Sequence, residues 1–384
     1  MYYWDNAATT WPKPRPVQEA MGEALKRYGA NPGRGGHKLA YVTSEAVFRA
    51  RETAANFFGL STPDHVVFTL NCTMSMNMVI KGILFSGGRV VISDLEHNAV
   101  LRPLHALSPY RPIYDMAQVD MNDPGKTVEN FKRAITPQTK LIICNHASNV
   151  WGVIQPIREI GALARERGIP FAVDAAQSAG VLPIDMEKDN IDFLCVAGHK
   201  GLYGPMGIGM LLTSGRYPLS TLIEGGTGSH SLDPNQPDTL PDRLESGTPN
   251  TSGICGLKAG MEWITRRGVT TVYRHEMNII RYLYHSLVKI PGIRLYTPFP
   301  KEGRYAPVLS FTVDGSPSEK TAALLNESGV AVRAGLHCAP LAHQKIGTEN
   351  TGTVRLAPSA FTGMDEAEKI VKIIRQTVQK SLQR

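Results

Sequence analysis

The chain has 384 residues, of which 42% are hydrophobic, and it carries a formal net charge of +7. A chain of this size can bury one large core or two unequal ones, so two domains are expected. No stretch approaches the roughly 18 unbroken apolar residues of a membrane-spanning helix, and the first residues lack the layout of a secretory signal. We therefore expect no membrane partner and a cytoplasmic location.

The cysteines and the charges exclude further classes of protein. Five cysteines are scattered along the chain without C-x-x-C spacing, so neither a disulfide framework nor a metal site is predicted. Lysine and arginine residues are dispersed rather than clustered, which is typical of a solvated surface and argues against a nucleic-acid partner. A basic chain does suit small anionic ligands.

From about residue 64 to 213 the chain alternates short β-branched runs with helical segments. This alternation predicts an α/β fold whose mainly parallel sheet is covered by helices on both faces. The predicted strands are 65–69, 89–93, 141–145, 170–174, 192–196 and 207–213, with helices at 75–84 and 156–168. A stretch rich in Gly, Pro and Ser, 224–253, predicts a long ordered loop.

The last third has the pattern of a smaller α/β domain. Helices are predicted at 256–266, 272–289, 318–328 and 365–382, and strands at 308–313, 330–333 and 353–357. We expect a large domain of residues 15–262 and a small C-terminal domain, which is completed by the N-terminal segment. The small domain then consists of residues 1–14 and 263–384.

Two polar residues follow successive predicted strands. Lys200 comes after the apolar run 193–196, at the sheet edge where open α/β folds bind ligands. A lysine there is either a solvated loop residue or an amine made reactive by partial desolvation. Asp174 ends the preceding strand, where it either caps a helix or pairs with a protonated pyridine nitrogen. Gln177 could donate a hydrogen bond to a ring hydroxyl beside it.

Two strand-to-helix turns carry further candidates. His97 follows the strand 89–93, and its flat imidazole could stack on a pyridine ring, although a surface histidine is the simpler interpretation. Thr73 lies in the turn 71–75, where a hydroxyl and free backbone N–H groups can bind phosphate. Ordinary helix capping explains the same residues.

The C-terminal third adds a nucleophile and an arginine. Cys338 lies in a loop bounded by glycine and proline, close to Arg333 and His337, and could be held there as a reactive thiolate. We interpret Cys144, Cys195 and Cys255 as buried filling residues and give Cys72 a structural role. Arg355 ends a strand and suits the bidentate binding of a substrate carboxylate, as well as an ordinary ion pair.

The ordered set of motifs resembles the cysteine desulfurases and selenocysteine lyases of the class V aminotransferase family. The resemblance runs nearly end to end. It rests on the segments 5–10, 33–37, 96–98, 146–149, 174–177, 198–200, 245–250, 333–338 and 352–355. It implies a pyridoxal 5′-phosphate (PLP) enzyme of fold type I, an obligate homodimer, and L-cysteine or a related amino acid as substrate.

The resemblance also assigns roles to individual residues. Lys200 would form the Schiff base, Asp174 would pair with the pyridine nitrogen, Gln177 with the ring oxygen, and His97 would cover the ring. Cys338 would accept the substrate sulfur as a persulfide, and a partner protein could then accept that sulfur. The phosphate ligands would be Thr73, His199 and, across the dimer, Thr248. The substrate carboxylate would meet Asn149 and Arg355, with Arg34 and Arg333 nearby.

Three departures from the family pattern leave alternatives open. Ala197 stands where many relatives have a hydroxyl residue, Gly201 is an additional residue after the lysine, and Asn71-Cys72-Thr73 replaces a more usual small/Thr/Thr run. Selenocysteine lyase and cysteine β-lyase activities stay possible, since no residue separates them from a desulfurase. A non-enzymatic PLP-binding scaffold is the third alternative, and the joint presence of Lys200, Asp174, Arg355 and Cys338 argues against it.

Overall fold

The computed structural model describes residues 1–33, 35–229 and 231–382. The strands are β1 (Tyr2–Tyr3), β2 (Val66–Thr69), β3 (Arg89–Ser93), β4 (Tyr114–Ala117), β5 (Thr139–Asn145), β6 (Phe171–Asp174), β7 (Phe193–Ala197), β8 (Gly209–Thr213), β9 (Ile293–Leu295), β10 (Leu309–Val313), β11 (Val330–Ala331), β12 (Arg333–Gly335) and β13 (Thr353–Leu356). The helices are α1 (Arg15–Arg27), α2 (Lys38–Phe57), α3 (Cys72–Ile83), α4 (Asn98–Leu107), α5 (Pro124–Ala134), α6 (Ile157–Glu166), α7 (Thr251–Arg267), α8 (Val269–Leu287), α9 (Ser318–Glu327), α10 (Pro340–Ile346) and α11 (Met364–Leu382).

A seven-stranded sheet forms the centre of the larger part, in the order β2-β8-β7-β6-β5-β3-β4. Its strands are parallel except for β8, which runs antiparallel to both of its neighbours. The predicted mainly parallel sheet is therefore confirmed. The carboxyl ends of β3, β5, β6 and β7 lie along one edge of this sheet.

Both faces of the sheet are buried, and β5 shows how one strand serves two cores. Ile142 and Cys144 pack into the core on one face, while Leu141 and Ile143 pack into the core on the other. Alternating side chains of a strand point to opposite faces, so a strand covered on both sides reads as a continuous apolar run. This is why the central strands were recognisable from sequence.

The C-terminal part has its own sheet and its own core. Strands β12-β13-β10-β9 form an antiparallel sheet, and helices α8 and α11 contribute to a core that includes Trp4, Leu283, Phe311 and Ile374. The N-terminal strand β1 pairs in parallel with β11. The division into residues 15–262 and residues 1–14 with 263–384 stays a prediction, and these contacts support it.

The predicted strand 330–333 is wrong in one respect. The structure breaks it into β11 and β12, which belong to different sheets. Val330 and Ala331 pair with the N-terminal segment, whereas Arg333 pairs with Arg355 of β13. Sequence alternation does not reveal such a change of partner, because both halves keep an extended backbone.

Candidate active site

Predicted site residues converge on a pocket at the carboxyl edge of the large sheet. The pocket encloses about 550 Å³ of empty space that is partly open to solvent. The carboxyl ends of parallel strands meet at one edge, so residues far apart in sequence become neighbours there. The predicted residues that line it are Thr73, His97, Asn149, Asp174, Gln177, His199 and Lys200.

Lys200 reaches the pocket on the turn that follows β7. The turn begins with Gly198, where a Cβ atom would lie 2.8 Å from the Ile208 carbonyl oxygen, so a side chain does not fit. Burial lowers the pKa of Lys200, and the Asp174 carboxylate opposes this shift. A desolvated lysine with a lowered pKa has a larger share of the neutral, nucleophilic amine.

Asp174 presents a fixed carboxylate to the pocket. Its Oδ1 accepts the backbone N–H of Ala176 at 2.9 Å and the thiol of Cys72 at 3.4 Å. Both of these hydrogen bonds end on the same oxygen, and Asp174 is only 5% exposed. Such a carboxylate can pair with a protonated ring nitrogen.

His97 caps helix α4 and is held by that role. Its Nδ1 accepts the backbone N–H of Ala99 at 3.0 Å, which leaves the proton of the neutral ring on Nε2. Burial lowers the pKa of His97 to about 4, so the ring is uncharged at neutral pH. A neutral flat ring beside Asp174 suits stacking on an aromatic ligand.

The amino end of α3 supplies an anion site at the other end of the pocket. The Asn71 side chain caps α3 and accepts the N–H of Met74 at 2.9 Å. The backbone amides of Cys72 and Thr73 lie in the same first turn of the helix. The buried Nδ1 of His199 finds no partner in the described part of the chain. Helix N-termini bind phosphate, and a buried nitrogen without a partner can bind a ligand. These groups suit the phosphate of PLP, so the pocket fits this cofactor.

Two predicted pocket residues donate side-chain amide hydrogen bonds to backbone carbonyls of other segments. Gln177 Nε2 donates to the Ala7 carbonyl at 2.9 Å, and Asn149 Nδ2 donates to the His337 carbonyl at 2.7 Å. Each NH₂ group keeps a second hydrogen for another acceptor. Gln177 thereby ties the pocket to the N-terminal segment, and Asn149 ties it to the cysteine loop.

The cysteine loop is short and pinned by its backbone. The Cys338 carbonyl accepts the N–H of Asn98 at 2.8 Å, one residue after His97. His337 and Cys338 both have positive φ angles, 49° and 57°, which non-glycine residues rarely adopt. Strain of this kind persists only where the surroundings hold it, and here two hydrogen bonds to pocket elements do so.

Two arginines lie side by side beneath this loop. Arg333 and Arg355 are paired neighbours on β12 and β13, and the Arg333 Nη2 lies 3.5 Å from the Cys338 sulfur. Arg355 is 1% exposed, donates to the Asn149 carbonyl at 3.1 Å, and forms an ion pair with Asp5 at 2.9 Å. Its buried Nε has no partner among the residues described. The pair of cations suits a carboxylate and a thiolate.

Of the predicted residues that the structure describes, Thr248 belongs neither to this pocket nor to the cysteine loop with its two arginines. Thr248 lies elsewhere, with its hydroxyl 3.2 Å from the Asn31 side chain, in a second and larger open pocket of the same chain. This position is compatible with the predicted role of Thr248 toward a partner subunit. Arg34 lies outside the described residues.

The structure adds residues that sequence reasoning missed. Asp5 pairs with Arg355, and the Lys13 ammonium donates to the His199 carbonyl at 2.7 Å and to the Thr10 hydroxyl at 2.8 Å. Burial lowers the pKa of Lys13 to about 8. The only signal for Asp5 was its place in the N-terminal motif 5–10, since no local pattern connects it with a strand 350 positions later.

Comparison with known proteins identifies the family. The family model of class-V aminotransferases matches residues 2–370. The chain belongs to the class-V aminotransferase family. Members of this family are PLP-dependent enzymes, and the chain is therefore a PLP-dependent enzyme.

Relatives and solved structures within the class-V family agree with this assignment. A protein of Pyrococcus abyssi named probable cysteine desulfurase is 32% identical, over 98% of this chain and 94% of its own length. The apo cysteine desulfurase of Thermococcus onnurineus NA1 superposes with a TM-score of 0.88 at 32% identity, covering 99% and 95% of the two chains. The Escherichia coli cysteine desulfurase CsdA, with S-sulfonic acid, has a TM-score of 0.87 at 27% identity and covers 98% and 94%.

These matches confirm the predicted fold class for this member of the class-V aminotransferase family. The large sheet with its flanking helices and the smaller C-terminal sheet correspond to PLP fold type I. Within the described residues, every helix is too short or too polar to cross a bilayer.

Proposed function

We propose that the chain is a PLP-dependent cysteine desulfurase that converts L-cysteine to L-alanine and receives the sulfur on Cys338. The observation that carries the proposal is the position of the Cys338 loop. The carbonyl of Cys338 accepts a hydrogen bond from Asn98, and the carbonyl of His337 accepts one from Asn149. Both asparagines belong to segments that line the Lys200 pocket. The names of the relatives support the same activity.

The residues of the pocket would hold PLP from all sides. Asp174 would pair with the pyridine nitrogen, His97 would cover the ring, and Gln177 would donate to the ring oxygen. Thr73 and His199 would bind the phosphate, and Lys200 would form the Schiff base. When bound, PLP supplies an electron sink for charge that develops on the amino acid.

Lys200 acts as the general base of this proposal. Burial lowers its pKa, which enlarges the share of neutral amine that can accept the α-proton of the substrate. The Asp174 carboxylate acts in the opposite direction and stabilises the lysine once the proton has been transferred.

Arg355 would orient the substrate through its carboxylate. The guanidinium is almost completely buried, and burial lowers the pKa of Arg355, against which the Asp5 carboxylate acts. Its unpaired Nε can add a hydrogen bond to an incoming carboxylate. Asn149, which lies beside Arg355, keeps one amide hydrogen for the same group.

Cys338 carries the sulfur transfer. Its thiolate, balanced by the Arg333 guanidinium, attacks the sulfur of the substrate and forms an S–S bond. The carbon–sulfur bond of the substrate breaks and its electron pair stays with the β-carbon, which takes up a proton, and Lys200 returns the α-proton to complete alanine. Either His97, which lines the pocket, or His337, whose Nδ1 has no partner among the described residues, could relay the proton to the β-carbon.

The homodimer and the sulfur acceptor belong to the same proposal. Thr248 lies away from the Lys200 pocket, so a second copy of the chain would bring it to a phosphate. Helix α2 leaves Leu39, Tyr41 and Phe48 exposed, and such apolar surface favours association. Light scattering at micromolar concentration should give twice the chain mass of 42.0 kDa. A persulfide on Cys338 would then pass to an acceptor thiol or protein.

The decisive experiment mixes the holoenzyme with L-cysteine, quantifies alanine and maps persulfides by mass spectrometry. The proposal predicts alanine together with an additional sulfur atom on Cys338. Cys338→Ser should keep the cofactor colour and lose turnover, whereas Cys255→Ser, at a buried position in α7, should keep both. Pyruvate and ammonia in place of alanine would show a β-lyase, and turnover of selenocysteine alone would show a selenocysteine lyase.

A further inference from the structure

The thiol of Cys72 makes a contact that the proposed chemistry does not yet use. Cys72 is the first residue of α3 and lines the Lys200 pocket. Its sulfur lies 3.4 Å from Oδ1 of Asp174, across 102 positions of sequence, and it is almost completely buried. A thiol is a weak donor, and a carboxylate is the strongest kind of acceptor that a protein offers it.

The thiol keeps its proton in this place. Burial and, next, the charge of Asp174 raise the pKa of Cys72 well above its usual range. A protonated sulfur can only be the donor of the pair, so the hydrogen bond points from Cys72 to Asp174. Ala176 N–H donates to the same oxygen, and the two bonds fix the plane of the carboxyl group.

We infer that Cys72 is a positioning residue, whose hydrogen bond holds the Asp174 carboxylate in its orientation toward the cofactor ring. The inference rests on the proposed function, because Asp174 acts there through the pyridine nitrogen. A misoriented carboxylate pairs less well with the ring nitrogen, so loss of the thiol should weaken the binding of the cofactor.

Cys195 provides a matched control within the same chain. It lies opposite Asp174 in the register of β6 and β7 and is completely buried. The described contacts of Asp174 include a hydrogen bond from the Cys72 sulfur and none from the Cys195 sulfur. Cys195→Ala thus removes a buried thiol of the same size without removing a donor to the carboxylate.

Several charged or titratable groups surround Asp174, and a test of its hydrogen bond with Cys72 must leave them in place. They come from the elements that pack around the carboxylate. They are Cys72 on α3, Glu96 and His97 between β3 and α4, Cys144 on β5, Cys195 on β7 and Lys200 after β7. Substitutions at Cys72 and Cys195 leave all the other groups unchanged.

Infrared spectroscopy of the cofactor-free protein measures the hydrogen bond directly. The S–H stretching band of Cys72 is obtained by subtracting the spectrum of Cys72→Ala from that of the wild type. We expect this band at lower wavenumber than the Cys195 band, obtained in the same way, because hydrogen bonding weakens the S–H bond. In Asp174→Asn the Cys72 band should shift to higher wavenumber. The inference would be overturned if the Cys72 band lay at the wavenumber of a free thiol and did not shift in Asp174→Asn.

The affinity for PLP then measures the consequence. We expect the Kd for PLP to rise about threefold in Cys72→Ala, as suits one weak donor. Cys72→Ser, which keeps a donor, should restore the wild-type affinity, and Cys195→Ala should not change it. Equal affinities for wild type and Cys72→Ala would overturn the inference alone. A wild type that binds no PLP would overturn the proposed function as well.

Discussion

The carboxylate of Asp5 lies 2.9 Å from Nη2 of Arg355, and 350 positions of sequence separate the two residues. Asp5 forms a bridge with Ala357 just beyond β13, so the N-terminal segment lies directly against the strand that carries the arginine. The side chain of Arg355 is 1% exposed and that of Asp5 is 22% exposed. The N-terminal motif therefore contributes to the side of the pocket where we propose that the substrate carboxylate binds.

Removing the charge of Asp5 should loosen this arginine. We expect Asp5→Asn to raise the KM for cysteine about tenfold, with a smaller effect on kcat, because a misoriented guanidinium binds the substrate carboxylate less well. The free energy of unfolding should fall by about 1–3 kcal/mol, as expected when a buried cation loses a charged acceptor. Steady-state kinetics and urea unfolding measure both effects.

Glu19→Gln is the control for Asp5→Asn, since it breaks the surface ion pair of Arg15 and Glu19. Exposed pairs contribute little to stability, so neither KM nor the unfolding transition should change. An Asp5→Asn variant with wild-type KM would show that Arg355 keeps its orientation without Asp5.

The hydrogen bond from Asn149 to the His337 carbonyl should hold the cysteine loop in its strained backbone conformation. Asn149→Ala removes the donor, and we expect iodoacetamide to alkylate Cys338 several times faster as the loop opens. Mass spectrometry of the Cys338 peptide distinguishes this cysteine from the four buried ones.

Asn130→Ala is the matched variant for the loop experiment. Asn130 also donates its amide to a backbone carbonyl, that of Gln118, but at the surface and away from the loop. In Asn130→Ala, Cys338 should be alkylated at the same rate as in the wild type. Equal rates in Asn149→Ala and the wild type would mean that the remaining bond from Asn98 suffices to hold the loop.

Lys200→Ala should lose the absorbance of the holoenzyme at ~420 nm, because a Schiff base with this amine produces that band in the proposed site. Lys188→Ala, which removes an exposed lysine paired with Asp185, should leave the spectrum intact. An unchanged spectrum in Lys200→Ala, recorded after gel filtration in the presence of PLP, would remove Lys200 from the proposal.

Buried Glu276 should make stability depend on pH. Burial raises the pKa of Glu276 to about 8 from its usual 4.5, and its hydrogen bond with the Tyr203 hydroxyl opposes the shift. The folded chain therefore keeps this proton up to about pH 8, while the unfolded chain loses it above pH 4.5. Stability falls as the pH rises through this window.

Glu276→Gln keeps the shape and the acceptor but cannot ionise. We expect the variant to match the wild type near pH 4.5 and to exceed it at pH 8, by on the order of a few kcal/mol. Urea unfolding at both pH values measures the difference. Glu129→Gln, at an exposed position, should have the wild-type free energy of unfolding at each pH. If Glu276→Gln showed the same pH dependence of this free energy as the wild type, Glu276 would not ionise on unfolding.

Local chemistry was enough to identify the large sheet and most of the pocket. The central strands are buried on both faces, so their apolar runs are visible in the sequence, and β5 and β6 end at the polar residues Asn145 and Asp174. Because parallel strands end at a common edge, the order of these residues along the chain already predicts their convergence. The family resemblance then supplied the roles of His97 and Cys338.

Long-range packing decided the rest. The pairing of Asp5 with Arg355, the donation of Asn149 to His337 and the thiol of Cys72 beside Asp174 each join segments more than 100 positions apart. Propensity and periodicity act over a few turns of chain and contain no information on such partners. The same limit explains the strand predicted at 330–333, whose two halves joined different sheets only because the N-terminal segment folds back beside it.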